Sequence, residues 1–211
     1  MSEKKDIGTP STIQDGIESR GLSLYSSDMN QVVDILRDER IDNKTREAAI
    51  KIAIDKLLYS EAGKFNQEQV IDYLDKFREI NSQITEEAVY DALGMIFADW
   101  PDMASDEHSG YPEPGYLNKD KFKETFGFDL EEKKAKEAQA FAITYMISNQ
   151  HDFQKAKSYM HKWGLTDRVS EILDNAQANM LADKDRHPDL ASDANKLSEL
   201  WKEVRDYEGK K

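Results

Sequence analysis

The chain has 211 residues, no cysteine, and a formal charge of −13 from 42 acidic and 29 basic side chains. That length can bury a substantial core without a covalent staple, and the missing thiols exclude disulfides, thiolate metal sites and cysteine nucleophiles. Net negative charge opposes binding to a phosphate backbone; with no apolar run near the roughly 18 residues of a membrane span, a soluble, cytoplasmic protein is expected.

The first residues, Met1 to Asp6, lack the apolar segment of a secretory signal. Residues 1–25 read as an N-terminal arm, either flexible or docked on a partner, in which Ser11 and Thr12 start a short helix that Gly21 ends. Asp28 opens a helix over 28–40 carrying Val32, Val33, Ile35 and Leu36. Asp42 caps the next, over 43–61, with Gly63 just past its end. Its Ala49, Ile50, Ile52, Ala53, Ile54, Leu57 and Leu58 cover more than half the circumference, which predicts a central, buried helix.

Three later starts carry a hydrophobic staple, in which an apolar residue before the cap meets another five positions on. Phe65 and Val70 flank Asn66, Ile84 and Val89 flank Thr85, and Leu117 and Phe122 flank Asn118. They predict helices over 67–80, 86–99 and 119–126. Asp129, with Glu132 at the capping-box position, opens another whose stripe is Ala138, Phe141, Ala142, Tyr145 and Met146. Its alanines suit close approach of a neighbour. Asp152 caps 153–163, which Gly164 ends, and Thr166 caps 167–182. A last helix starts near Pro188; its Leu190, Ala194, Leu197, Trp201 and Val204 form a stripe that either packs on its own domain or makes a short coiled-coil seam for self-association.

Nowhere does period-two alternation persist between turn residues, so no strand is expected. The fold class is all-α, a bundle of about eight to nine helices by these start and stop signals. Its one long interruption, 101–117, holds Pro101, Pro112, Pro114, Gly110 and Gly115. This loop separates a helical segment over 26–100 from one over 118–211, which form either two lobes or one domain.

Charge is segregated along the chain. Between Arg78 and Lys119 there is no lysine or arginine, while Glu79, Glu86, Glu87, Asp91, Asp99, Asp102, Asp106, Glu107 and Glu113 fall there. Tyr90, Phe97, Trp100, Tyr111 and Tyr116 are interleaved with them. The next fifty residues, 119–168, carry ten basic side chains against eight acidic ones. An acidic stretch rich in aromatics suits a protein interface, because Trp and Tyr supply contact area at low entropic cost. Asp99, Trp100, Asp102, Asp106, Glu107, Tyr111, Glu113 and Tyr116 are therefore the candidate partner-binding residues, and a basic protein the expected partner. The competing expectation is a solvated loop whose aromatics fold back onto the core.

No catalytic residue, cofactor or metal site is expected. Asp102, Asp106, Glu107, His108 and Glu113 are suitable donors, but Asp106-Glu107-His108-Ser109-Gly110 lacks the alternating ligands of a calcium-binding loop. There is no glycine-rich phosphate loop, no Gly-x-Ser-x-Gly elbow and no His-Glu-x-x-His. The dipeptide His151-Asp152 resembles the paired ligands of HD-type metal-dependent phosphohydrolases, a resemblance confined to those two residues, so no further residue is carried over. Three functions follow. The first is a non-enzymatic helical interaction module, an assembly component, adaptor or inhibitor in the manner of small viral or phage proteins. The second is a metal-dependent hydrolase using His151, Asp152 and nearby carboxylates, and the third an acidic mimic of nucleic acid.

Overall fold

A computed structural model of the chain describes residues 28–38, 41–60, 64–104 and 115–182, with positions 197 and 202. Among these residues there is no strand, and the fold is all-helical. The seven α-helices are α1 (Met29–Leu36), α2 (Asn43–Asp55), α3 (Gln67–Asp99), α4 (Lys119–Phe126), α5 (Glu132–Ser148), α6 (Phe153–Lys162) and α7 (Val169–Ala182). A π-helical turn, Lys56–Ser60, extends α2, and 3-10 turns occupy Pro101–Met103 and Thr166–Arg168.

Among the described residues seven α-helices stand against the eight to nine expected for the chain, for two reasons. The expected helices over 67–80 and 86–99 are both present but abut within the single range of α3, two helical stretches meeting at a kink at Asn81, whose backbone is extended (φ −158°, ψ 97°). The last expected helix, from Pro188, lies outside the described residues, as does the N-terminal arm. Of that last segment only Leu197, helical and buried, and Lys202, helical and exposed, are described.

Several helix starts behave as their sequence predicts. Asp28, Asp42, Asn66, Asn118 and Asp152 each accept a backbone N–H from the first turn that follows, from Asn30, Thr45, Gln69, Lys121 and Lys155. Asn66 is answered by Gln69, which accepts the Asn66 N–H at 3.0 Å, completing a capping box. At Asp42 the Thr45 hydroxyl adds a second bond of 2.6 Å, and these donors hold the carboxyl below the usual carboxylate range.

Three expected caps act differently. Thr85 is fully buried inside α3, where its hydroxyl donates 2.8 Å back to the Asn81 carbonyl. The cap of that second start is Asn81, whose side chain accepts from Ile84 N–H at 3.1 Å. Asp129 does not cap α5, which begins after Glu131 without a side-chain cap; an ion pair with Lys123 at 2.9 Å takes the Asp129 carboxylate instead. Thr166 opens a 3-10 turn, so α7 begins at Val169 rather than 167.

The described chain divides into two compact units, one taking in residues up to Ala92 with Glu124–Gly127, the other Leu93–Lys123 and the residues from Phe128 onward. In the first, α1 packs on α2, and the core is built from Val32, Val33, Leu36, Ile50, Ile54, Leu57, Leu74, Phe77 and Val89. The central character expected of α2 holds on one broad face, where Ala49, Ile50, Ala53 and Ile54 are buried, while Ile52 and Leu58 are half-buried. Truncating the fully buried Phe77 would cost about 3–5 kcal/mol in transfer and cavity terms. In the second unit α5 is central and packs on both α6 and α7. Its buried Ala135, Ala138, Ala140 and Ala142 keep the helix slim enough for neighbours on more than one side.

Helix C-termini leave carbonyls without intrahelical partners, and in the first unit arginines supply the donors. The Arg46 guanidinium donates to Leu36 O (2.9 Å) and Asp38 O (3.0 Å) beyond the end of α1. Arg78 likewise donates to Phe126 O (2.9 Å) and Gly127 O (3.3 Å). Gly127 has φ +76°, and a Cβ placed there would lie 2.6 Å from the Arg78 guanidinium. Gly164 has a similar φ of +62° but open space around it. Gly164→Ala should therefore cost only the left-handed backbone penalty, about 1 kcal/mol, and Gly127→Ala about 2–3 kcal/mol because Arg78 is displaced as well. Urea unfolding of the two variants checks the difference, and equal midpoints would remove Arg78 from the account.

Candidate interaction site

The end of α3 is where the aromatic, acidic character of the sequence becomes a shaped surface. Pro101 cannot continue the α-helical ladder, and the chain turns there into a single 3-10 turn. Trp100 N–H donates to Ile96 O at 2.7 Å, Met103 N–H to Trp100 O at 3.0 Å, and Ala104 N–H to Pro101 O at 3.1 Å. Tyr116 N–H returns to Met103 O at 2.9 Å, which joins the two ends of the 104–115 segment. Phe97, Ala98, Pro101 and Ala104 are buried, whereas Trp100 is 54% exposed. An indole facing water between the buried Ala98 and Pro101 is the most unusual feature of this turn.

Helix α6 fixes the turn from one side. Lys155, Tyr159 and Lys162 stand at i, i+4 and i+7, hence on one face. Lys155 Nζ donates 2.7 Å to Ala98 O at the end of α3. The Tyr159 hydroxyl donates 3.1 Å, and Lys162 Nζ 2.7 Å, to the same Asp102 carboxylate oxygen. Lys162 also lies 5.1 Å from the centre of the Tyr159 ring. Gln150 adds a bond of 2.8 Å to the Asp99 carboxylate, and Gln139, buried in α5, donates 3.3 Å to Ala104 O. Beneath, the Trp163 ring packs on Phe97 and Tyr159, at centroid distances of 6.4 and 5.2 Å, and the Trp163 carbonyl accepts from Lys136 Nζ.

Of the candidate partner-binding residues, Asp99, Trp100, Asp102 and Tyr116 are therefore brought to one turn; Asp106, Glu107, Tyr111 and Glu113 lie outside the described residues. Only Trp100 among the four is largely exposed. Asp102 is committed to α6, and Asp99 to Gln150. The residues that sequence reasoning missed are the ones that do the holding: Lys155, Tyr159, Lys162, Gln150 and Gln139. A polar stripe at four- and three-residue spacing on α6 was visible in the sequence, but its target was not.

The basic-free window is also less acidic in space than in sequence. Within the first unit, Glu79 pairs with Arg37 at 2.8 Å and Asp91 with Lys51 at 3.0 Å. All four side chains are roughly half exposed or more, so each pair contributes only about 0–1 kcal/mol to stability. Each nonetheless supplies a positive charge to a stretch that has none of its own. Among the described residues two other large apolar side chains are exposed, Phe141 at 47% and Leu181 at 58%, and Phe141 stacks on Tyr145.

His151 and Asp152 have local roles. Asp152 caps α6, accepting Lys155 N–H at 3.0 Å, and Asp152 N–H donates to Met146 O at 3.0 Å. Between α5 and α6, His151 takes a left-handed conformation with φ +54°, a position where glycine is the usual occupant. No group of three or more His, Asp or Glu side chains able to hold a metal ion occurs among the described residues. His108 and His187 lie outside them, and His161 sits in the last turn of α6, where an imidazole suits the helix dipole. None of the described helices is long and apolar enough to cross a membrane. Compared with known proteins, the chain matches no family model, no curated protein and no solved structure.

Two measurements test the local physics. Burial, with the Asp102 hydrogen bond and charge behind it, raises the Tyr159 hydroxyl above its ordinary 10.0, and the Asp102 hydrogen bond raises Lys162 above 10.5. Groups raised on folding contribute stability that is complete below their ordinary values and is lost as pH climbs through the folded values. Unfolding midpoints should thus fall as pH rises beyond about 10, and fall less steeply in Asp102→Asn. The same slope in both proteins would contradict the Asp102 linkage. Separately, His151→Gly should raise stability by about 0.5–1 kcal/mol by relieving the left-handed backbone, read as a higher urea midpoint.

Proposed function

We propose that the chain is a non-enzymatic helical interaction protein, working in the cytoplasm as an assembly component, adaptor or inhibitor, and that Trp100 is its anchor on a protein partner. The observation that carries this reading is the 54% exposure of Trp100 at a turn where Phe97, Ala98, Pro101 and Ala104 are buried. Tryptophan is the residue type most enriched among interface hot spots. An indole held in one place binds without the entropic cost of ordering a loop. The partner surface it fits is an apolar pocket large enough for an indole, with donors at its rim for the carboxylates of this region. Asp99 and Asp102 are already hydrogen-bonded within the protein, so charge contributes to orientation and encounter rate more than to affinity.

A point substitution is a cleaner test than removal of the whole 99–116 stretch, which would also cut the bonds to Gln150, Tyr159, Lys162 and Gln139. The partner is recovered by affinity purification from the native host, and the mass of the purified complex is determined. Trp100→Ala should weaken recovery of that partner by about 30-fold, the equivalent of a hot-spot loss of about 2 kcal/mol, with unchanged helical circular dichroism. Undiminished recovery would overturn the assignment to Trp100. Salt separates the neighbouring reading: an indole-anchored complex weakens modestly as salt rises, whereas an acidic mimic of nucleic acid releases its basic partner steeply. The metal-dependent hydrolase alternative draws no support from the surroundings of His151 and Asp152.

A further inference from the structure

Trp100 is exposed on a segment that would otherwise have every reason to bury it. The turn follows directly on the apolar end of α3, where Phe97 and Ala98 are fully buried. An unrestrained tryptophan next to such a core gains from folding back onto it. A set of polar bonds reaches the turn on both sides of residue 100. Lys155 holds Ala98, two residues before it; Tyr159 and Lys162 hold Asp102, two residues after it. The three donors occupy successive turns of a single face of α6. That helix is itself anchored by its Asp152 cap and by the buried Ala156 and Met160.

We infer that this face of α6 is a pre-organising clamp, in which Lys155, Tyr159 and Lys162 are positioning residues that keep the Trp100 indole turned outward. The inference deepens the reading of Trp100 as an anchor and rests on it for its purpose. Affinity for the partner would then depend on side chains whose bonds are made within the protein. Two bonds converging on one Asp102 oxygen give the clamp its geometry: the ammonium supplies charge and the phenol supplies direction. An Arg at 162 preserves the charge and the reach, whereas Gln keeps an N–H donor but is one atom shorter and carries no charge.

The test uses the whole chain without any partner, so it stands or fails independently of the experiment on Trp100→Ala. Amide hydrogen exchange is followed at Met103, Ala104 and Tyr116, whose N–H groups close the turn, and at Ile143, Met146 and Ile147 in the centre of α5. In Tyr159→Phe/Lys162→Gln the turn amides should exchange about tenfold faster or more while the α5 amides keep their protection, as expected for a local opening. Tyr159→Phe/Lys162→Arg should restore much of the protection. With 5-fluorotryptophan incorporated and the Trp100 resonance assigned from Trp100→Phe, the same Gln variant should move or broaden that resonance. Unchanged exchange at the three turn amides would overturn the clamp. Acceleration shared equally by α5 would overturn it too, because the residues would then support the unit as a whole rather than position Trp100.

Discussion

An α-helix that stops inside a folded protein leaves its last carbonyls without partners and concentrates the negative end of its dipole there. In this chain the same solution recurs at several such places: a cation from another helix reaches the exposed carbonyls. Arg46 does so beyond α1, Arg78 after α4, Lys155 at the end of α3 and Lys136 after α6. Each contact joins two elements of the same compact unit and meets a local demand for donors at the same time. The described part of the chain thus gains long-range order from groups that any helix ending must satisfy somehow. Short amphipathic helices, marginal on their own, are tied together where they would otherwise fray.

The turn at Trp100 is the most elaborate case. Pro101 ends α3, Lys155 takes up a freed carbonyl, and the following Asp102 gives α6 a second point of attachment. One consequence is mechanical, since the segment is held on both sides of the indole. The other is electrostatic. Positive charge enters the acidic stretch from α6, and, in the other unit, Arg37 and Lys51 do the same for Glu79 and Asp91. A window of sequence without a lysine or arginine is therefore not a surface without positive charge. This shifts the weight of the proposed function from acidity toward the exposed aromatic ring.

Five helix starts were legible because a cap is local: an oxygen-bearing side chain needs only the N–H groups two or three residues ahead. The three misread starts fail for reasons that are also physical. Asp129 is drawn off by the ammonium of Lys123. Thr85, fully buried, turns its hydroxyl to a carbonyl one turn back, leaving Asn81 to cap. After Leu165 the chain tightens into a 3-10 turn before α7 begins. In each case a competing donor or acceptor, or the packing around it, outweighed a modest local preference.

Periodicity and punctuation in the amino-acid order were enough to establish an all-helical chain, the positions of most helices, the buried face of α2 and the proline-marked turn after Trp100. Those features depend on backbone geometry within a few residues. Which acidic groups are paired, which cation closes which helix end, and why Trp100 alone among the brought-together candidates is largely exposed were decided only when helices distant in sequence packed. Such pairings depend on distances across space, where Lys162 lies sixty residues from Asp102 and still within a hydrogen bond of it.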